Sequence, residues 1–247
     1  MAIGTVRGAG RVALLAVAAA TAAACGGEPK GGALSDSVVT IPSVPTVTVA
    51  AVAPNSFSGT LPCADCSGIE TTVALYSDTT YRLRETYQGK SSTPAVSMGR
   101  WQHDGATLTL DGLGRTVKFA VKGEDSLTLL DQSGKPIASA LNHTLVRADS
   151  MEMLRDAAPY TGSFTYMADA PTFRECGSGQ TYNVLMTGGY KALESAYRAA
   201  KLAPGSGWQV NVTARFKPRP NTMEGPKERD VLEIVKYVGP EANPDCR

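Results

Sequence analysis

The sequence predicts a mainly β protein built from two small barrels, an antiparallel meander over residues 55–150 and a barrel with one helix over residues 156–247. In the first segment, short runs of alternating apolar and polar residues are separated by turn residues about every ten positions, without a helical period. In the second segment, strand patterns flank a single helical pattern. Residues 1–54, which precede both segments, have the composition of an export signal followed by a tether.

The N-terminus has the layout of a bacterial lipoprotein signal peptide. Arg7 and Arg11 precede a short, alanine-rich apolar run, and small residues then lead to Cys25. The run is too short to span a bilayer comfortably as a mature helix. We therefore expect a signal peptide over residues 1–24 and lipidation, including palmitate, at Cys25. A secreted protein that is cleaved near the same place without lipid is the alternative.

The residues after Cys25 indicate where the mature protein resides. The residue after the cysteine is Gly26 and not an aspartate. In this it resembles lipoproteins that bacteria with two membranes sort to the outer membrane. We expect a lipid-anchored protein in the outer membrane that faces the periplasm. Residues 25–54 combine glycine and serine with proline among valine and threonine, which is typical of a flexible tether spanning roughly 30 Å on average. An extra strand of the first barrel is the alternative for the Val/Thr part.

The first folded segment opens with a hairpin pattern. Apolar and β-branched residues alternate over residues 69–75 and again over 81–87, with turn residues between them. Further strands are predicted at 99–102, 107–110, 117–121, 127–130 and 141–146. A meander of seven or eight strands closes most readily into an antiparallel barrel, because closure removes exposed edges.

The second folded segment places one helix among strands. Strand patterns occupy residues 160–176 and 181–186 before the helix, and 208–216 and 231–238 after it. The helix is predicted over 190–201, because Tyr190, Leu193 and Tyr197 share one face and Pro204-Gly205 ends the pattern. Strands, one helix and strands again suit a small barrel of the OB type.

Two cysteines separated by two residues carry the most reactive chemistry of the sequence. Cys63 and Cys66 could form a local disulfide, bind copper(I) as a thiolate pair, or respond to redox conditions. A thioredoxin-like oxidoreductase is disfavoured because a strand, rather than a helix, follows the pair. Asp65 between them is better suited to capping the turn than to binding metal.

The remaining composition does not support catalysis or nucleic-acid binding. The formal net charge is +1, and the two histidines, His103 and His143, are expected to be surface or barrel residues. The sequence contains no nucleophile elbow, phosphate loop or histidine-based zinc motif. We therefore predict a protein that is not an enzyme and requires no cofactor, with copper(I) as a candidate ligand. The scattered methionines are expected to fill cores rather than to add copper ligands.

Several stretches resemble the NlpE family, outer-membrane lipoproteins associated with copper homeostasis and with sensing of envelope stress and surface contact. Residues 61–72, 81–87 and 99–101 are similar to the N-terminal domain of that family, and residues 166–170, 173–176 and 193–197 to its C-terminal domain. The resemblance covers nearly all of residues 57–246. It implies a lipocalin-like first barrel and, in particular bacteria, signalling to an inner-membrane sensor histidine kinase of the Cpx type. The tether of this chain is long for the family.

The resemblance also implies a disulfide in the second barrel. After Cys25, four cysteines remain, and an oxidising compartment would permit two disulfides in three connectivities. The family's disulfide corresponds to Cys176 and Cys246, either as a structural bond or as a redox-sensing switch. It would close a loop of about 70 residues and contribute roughly 4 kcal/mol, against roughly 2 kcal/mol for Cys63 with Cys66.

The predicted function is an outer-membrane lipoprotein that senses envelope stress, redox failure or copper and signals to an inner-membrane partner. Two alternatives belong to other classes. One is a lipocalin-like carrier whose first barrel holds a small apolar ligand, and the other is a periplasmic copper(I) buffer that uses Cys63 and Cys66.

Overall fold

The computed structural model describes residues 52–167, 169–203, 205–220, 230–242 and 246. The signal peptide, Cys25 and most of the tether lie outside the described residues, so these expectations stay predictions. Within the described part of the chain, no helix is both long enough and apolar enough to cross a membrane.

Eight consecutive antiparallel strands form the first barrel. They are β1 (Asn55–Leu61), β2 (Ile69–Leu75), β3 (Thr80–Tyr87), β4 (Ala95–His103), β5 (Thr107–Gly112), β6 (Arg115–Lys122), β7 (Ser126–Leu129) and β8 (Thr144–Arg147). Each strand pairs with its neighbour along the chain, and β1 pairs with β8 to close the barrel. The structure thus confirms the predicted meander barrel.

The interior of the first barrel is filled by its own side chains. Alternate residues of every strand point inward and form one cluster, in which the largest fully buried members are Phe57, Leu75, Leu108, Leu110, Phe119, Leu127 and Leu145. The cluster begins before β1, because Val52 and Ala53 are also buried in it. Residues shortly before the predicted start at residue 55 therefore also contribute to this core. With the described interior packed in this way, nothing in the structure favours a small-ligand carrier.

Five strands and one helix form the second barrel. They are β9 (Ala158–Thr165), β10 (Thr172–Glu175), β11 (Thr181–Leu185), α1 (Tyr190–Ala199), β12 (Trp208–Lys217) and β13 (Val231–Pro240). The strand order is β10-β11-β13-β12-β9, closed into a barrel, and β11 runs parallel to β13. A parallel pair needs a crossover connection, and α1 lies in it. The mainly β fold with one helix and an OB-type second barrel is confirmed.

The amphipathic pattern of α1 determines how the helix packs. Tyr190, Leu193 and Tyr197 are buried in the core of the second barrel, as the spacing predicts. The helix ends at Ala199, two residues earlier than predicted, and Lys201 just beyond it has a positive φ of 50°. A residue in this left-handed region cannot continue a right-handed helix.

Candidate functional site

The close cysteine pair lies in the connection between two paired strands of the first barrel. Leu61 at the end of β1 is opposite Ile69 at the start of β2, so the intervening residues form a loop at one end of the barrel. In the structure Cys63 and Cys66 are joined by a disulfide, with their Cα atoms 5.3 Å apart. Gly68 allows the loop to approach the sheet, since a Cβ there would lie 2.6 Å from Cγ2 of Thr60.

Among the residues that the structure describes, this loop contains the one group of three His, Cys, Asp or Glu side chains close enough together to hold a metal ion. The ligand atoms of Cys63, Asp65 and Cys66 all lie within 4.8 Å of one another. Asp65 is exposed and forms an ion pair with Lys90. Two thiolates suit a soft ion such as copper(I), whereas a carboxylate does not. The residues therefore fit a two-thiolate copper(I) site, which requires prior reduction of the disulfide.

The second disulfide joins the end of β10 to the C-terminal region. Cys176 is buried and is bonded to Cys246, 70 positions away, with a Cα–Cα distance of 4.5 Å. The backbone N–H of Cys176 donates to the carbonyl oxygen of Thr161 in β9, at 3.0 Å. Oε1 of Gln209 in β12 lies 3.2 Å from Sγ of Cys246. The bond thus fastens the C-terminal region to the end of β10, at a point next to β9 and β12.

A buried carboxylate organises the turn next to this disulfide. Glu175 is 3% exposed and accepts hydrogen bonds from the backbone N–H of Gly177 (2.8 Å) and from the N–H and hydroxyl of Ser178 (2.6 and 2.7 Å). Burial raises the pKa of Glu175, although these hydrogen bonds oppose the rise. The turn faces the first barrel, because a Cβ on Gly177 would lie 2.8 Å from the carbonyl oxygen of Met98 in β4.

The two barrels share a buried contact. Met98 of the first barrel is 4% exposed and belongs to the hydrophobic core of the second. Arg82 of β3 donates from Nη1 to Oδ2 of Asp230 and to the carbonyl oxygen of Leu154, each at 3.0 Å. The side chains of Arg82 and Asp230 are only 5% and 4% exposed. A buried ion pair therefore joins β3 to the residue that precedes β13.

Aromatic rings complete the surroundings of the buried arginine. The guanidinium carbon of Arg82 lies 3.4 Å from the ring centroid of Phe216 in the second barrel and 4.8 Å from that of Tyr76 in the first. Arg155 donates to the other oxygen of Asp230 at 2.9 Å. Sequence reasoning missed this group. A charged residue between the inward-facing Tyr81 and Leu83 is ordinary for a strand with an exposed outer face, so the sequence offered no signal.

The histidines occupy structural positions. His103 is the last residue of β4, and His143 directly precedes β8 rather than lying within it as predicted. Neither is part of the described metal-spaced group. The expectation that each is a surface or barrel residue rather than a general base stays a prediction.

Comparison with known proteins identifies both barrels. The family model of the NlpE N-terminal domain matches residues 57–140, and that of the NlpE C-terminal OB domain matches residues 154–247. The chain is 39% identical to lipoprotein NlpE of Escherichia coli strain K12 over 204 residues, covering 78% of this chain and 80% of that protein.

Two solved structures are also similar in sequence. The crystal structure of the Cpx pathway activator NlpE from Escherichia coli is 32% identical, covers 78% of this chain and 98% of its own, and has a TM-score of 0.34. A Shewanella oneidensis structure is 32% identical over 41% of this chain and 94% of its own, with a TM-score of 0.36. On the family matches and the 39% identity, this chain belongs to the NlpE family.

Proposed function

We propose that this lipoprotein is an envelope-stress sensor in which the Cys176–Cys246 disulfide reports on oxidative protein folding. It is anchored to the outer membrane through lipid on Cys25, faces the periplasm, and signals to an inner-membrane sensor histidine kinase of the Cpx type. When the disulfide is absent, the second barrel loosens and a binding surface is exposed. Assignment to the family of a Cpx pathway activator supports the signalling role.

The position of the second disulfide is the observation that carries this proposal. Forming the bond removes two electrons and two protons from the thiols, which a disulfide oxidant of the envelope must accept. A loop of 70 positions corresponds to about 4 kcal/mol of stabilisation, a large part of the roughly 5–15 kcal/mol by which small domains are stable. A chain that reaches the envelope when oxidation fails would thus have a marginal second barrel.

The experiment replaces Cys176 by serine in cells that carry an envelope-stress reporter gene. We expect reporter output to rise without any applied stress, because the bond can no longer form. Cys63→Ser with Cys66→Ser is the matched control, since it removes a disulfide from the first barrel instead. Unchanged output in the Cys176→Ser strain would contradict the redox role.

A second candidate function is copper(I) binding by the close cysteine pair. The proximity of the sulfur atoms of Cys63 and Cys66 in one loop favours it. The site needs both thiols free, so the protein should bind copper(I) only after reduction. A Cys63→Ser, Cys66→Ser protein that binds copper(I) as well as the parent would exclude this site. Mapping disulfides in protein from envelopes, with thiols trapped at lysis, establishes which state occurs in cells.

A further inference from the structure

We propose that the outward-facing side chains Arg82, Val96 and Met98, here called the β3–β4 face, form the docking surface of the sensor, which the second barrel covers at rest. The face would recognise a partner segment that presents a carboxylate beside an aromatic side chain. This inference rests on the proposed sensing function and specifies its surface and partner chemistry.

Strand alternation shows that these residues are not needed to build the first barrel. Tyr81 and Leu83 point into the barrel core, which leaves Arg82 on the outside of β3. In the register of the sheet, Arg82 is directly opposite Met98 of β4, and Arg84 is opposite Val96. The β3–β4 face is therefore one continuous patch, apolar on β4 and cationic on β3.

The groups that cover the face define the chemistry that fits it. Asp230 supplies a carboxylate to Arg82, and the ring of Phe216 lies against the guanidinium. Met98 and Val96 pack into the aromatic and aliphatic core of the second barrel. A partner that competes with the second barrel must offer comparable contacts, namely a carboxylate for the guanidinium and an aromatic ring against it.

The contact has the composition of an interface that separates. Buried ion pairs are often no more stabilising than apolar side chains of the same volume, and interfaces between domains that move are comparatively polar. The hydroxyl of Tyr76 and Nε of Arg82 are buried without a hydrogen-bond partner. Both residues line a cavity of about 50 Å³ that also contacts Asp230, which is room for ordered water.

The connection between the barrels stays with the first one. Leu154 is bonded to Arg82 through its carbonyl oxygen, and Glu152 is ion-paired with Arg84 at 2.9 Å. The backbone N–H of Glu152 also donates to Oγ of Ser56 in β1, at 2.6 Å. Separation therefore breaks the contacts of Asp230, Phe216 and the turn at Gly177, and leaves the β3–β4 face folded.

The test uses the full chain and Asp230→Asn, which removes the charge but keeps the shape. We expect the population with an uncovered face to increase roughly 100-fold, because Arg82 is left buried without its counter-ion. Oxidation of the Met98 thioether by hydrogen peroxide measures this directly, with the exposed Met167 and Met186 as internal references. Asp156→Asn is the matched control, since that carboxylate forms only a partly exposed ion pair.

A second variant tests the same inference in case Asp230→Asn does not fold. Gly177→Ala adds a methyl group 2.8 Å from the carbonyl oxygen of Met98 and leaves the ion pair intact. It should also raise Met98 oxidation, whereas Gly239→Ala, which meets nothing within 4 Å, should not. Val96→Glu added to Asp230→Asn should leave the face uncovered but abolish reporter output, because it places a charge in the apolar part of the face that the partner's aromatic side chain must contact.

The outcomes separate this inference from the function on which it rests. The inference is supported if Asp230→Asn and Gly177→Ala raise both Met98 oxidation and reporter output. It is overturned if Met98 stays protected from oxidation in both variants. It is also overturned if Met98 becomes reactive but reporter output does not rise, provided that Cys176→Ser does raise reporter output in the same strain background. Concentration-dependent dimers that protect Met98 again would identify a second copy as the occupant and also overturn it. Failure of Cys176→Ser to raise output contradicts the proposed function itself.

Discussion

Removing the Cys176–Cys246 disulfide should destabilise the second barrel by about 4 kcal/mol. In the loop-entropy relation, a closed loop of 70 positions costs the unfolded chain about 15 cal/mol/K, which is about 4 kcal/mol at 25 °C. The same relation for Cys63 and Cys66, three positions apart, yields only about 2 kcal/mol. Cys176→Ser with Cys246→Ser should therefore destabilise the second barrel strongly, and Cys63→Ser with Cys66→Ser should destabilise the first barrel weakly.

The chain contains one tryptophan in each barrel, which makes the assay specific. Trp101 is buried in the first barrel, and Trp208 packs against Tyr197 and Tyr237 in the second. Urea unfolding followed by fluorescence in a Trp101→Phe background reports the second barrel, and a Trp208→Phe background reports the first. Each background with all cysteines intact is the reference for its own serine variants.

The expected result is a large loss of unfolding free energy at Trp208 for Cys176→Ser with Cys246→Ser, and a small loss at Trp101 for the other pair. A loss below about 1 kcal/mol at Trp208, or equal losses in the two barrels, would refute the reasoning from loop length.

Three further predictions concern single side chains. Gly162→Ala should destabilise the second barrel by about 2 kcal/mol or more, because the added Cβ would overlap the ring of Phe173. Gly239→Ala, whose Cβ meets nothing within 4 Å, should be nearly neutral, and thermal unfolding of the two variants tests the difference. Arg115→Ala should cost the first barrel about 2 kcal/mol, because it leaves the buried carboxylate of Glu85 without its ion-pair partner. Arg198→Ala, which breaks an exposed pair, should cost much less in the same urea titrations. Glu175→Gln should flatten the pH dependence of stability. Burial raises the pKa of Glu175 in the folded state above its ordinary value of 4.5, so the folded state keeps its proton to a higher pH than the unfolded state does. The free energy of unfolding therefore falls as the pH rises from 4.5 through the folded pKa, and the variant lacks this fall. An unchanged slope in unfolding experiments at a series of pH values would contradict that assignment.

Strands with strict alternation were predictable from sequence, and strands without it were not. β2 and β3 were placed within one residue of their observed bounds, because Val73 and Leu75 of β2, and Tyr81 and Leu83 of β3, enter the barrel core from alternate positions. β1 was not assigned as a strand, since its sequence NSFSGTL offers only Phe57 and Leu61 as large apolar residues. Pairing with β2 and β8 on both sides stabilises it, which a local pattern cannot reveal.

The buried contact between the barrels lay beyond sequence reasoning for a related reason. Arg82 and Asp230 are separated by 148 positions, and neither lies in a motif. Met98 was expected to fill a core, which it does, but the core belongs to the other barrel. The register of β3 and β4 brings Arg82 and Met98 together, and only tertiary structure supplies their partners.

The most direct test of the central claim is the rate of Met98 oxidation by hydrogen peroxide in the full chain, with and without the Cys176–Cys246 disulfide. If loss of the bond uncovers the β3–β4 face, Met98 in the Cys176→Ser, Cys246→Ser protein should oxidise much faster, by up to about a thousandfold for 4 kcal/mol, while Met167 and Met186 react at unchanged rates. If Met98 remains as protected as in the disulfide-bonded protein, the disulfide does not control access to this face, and the account is wrong.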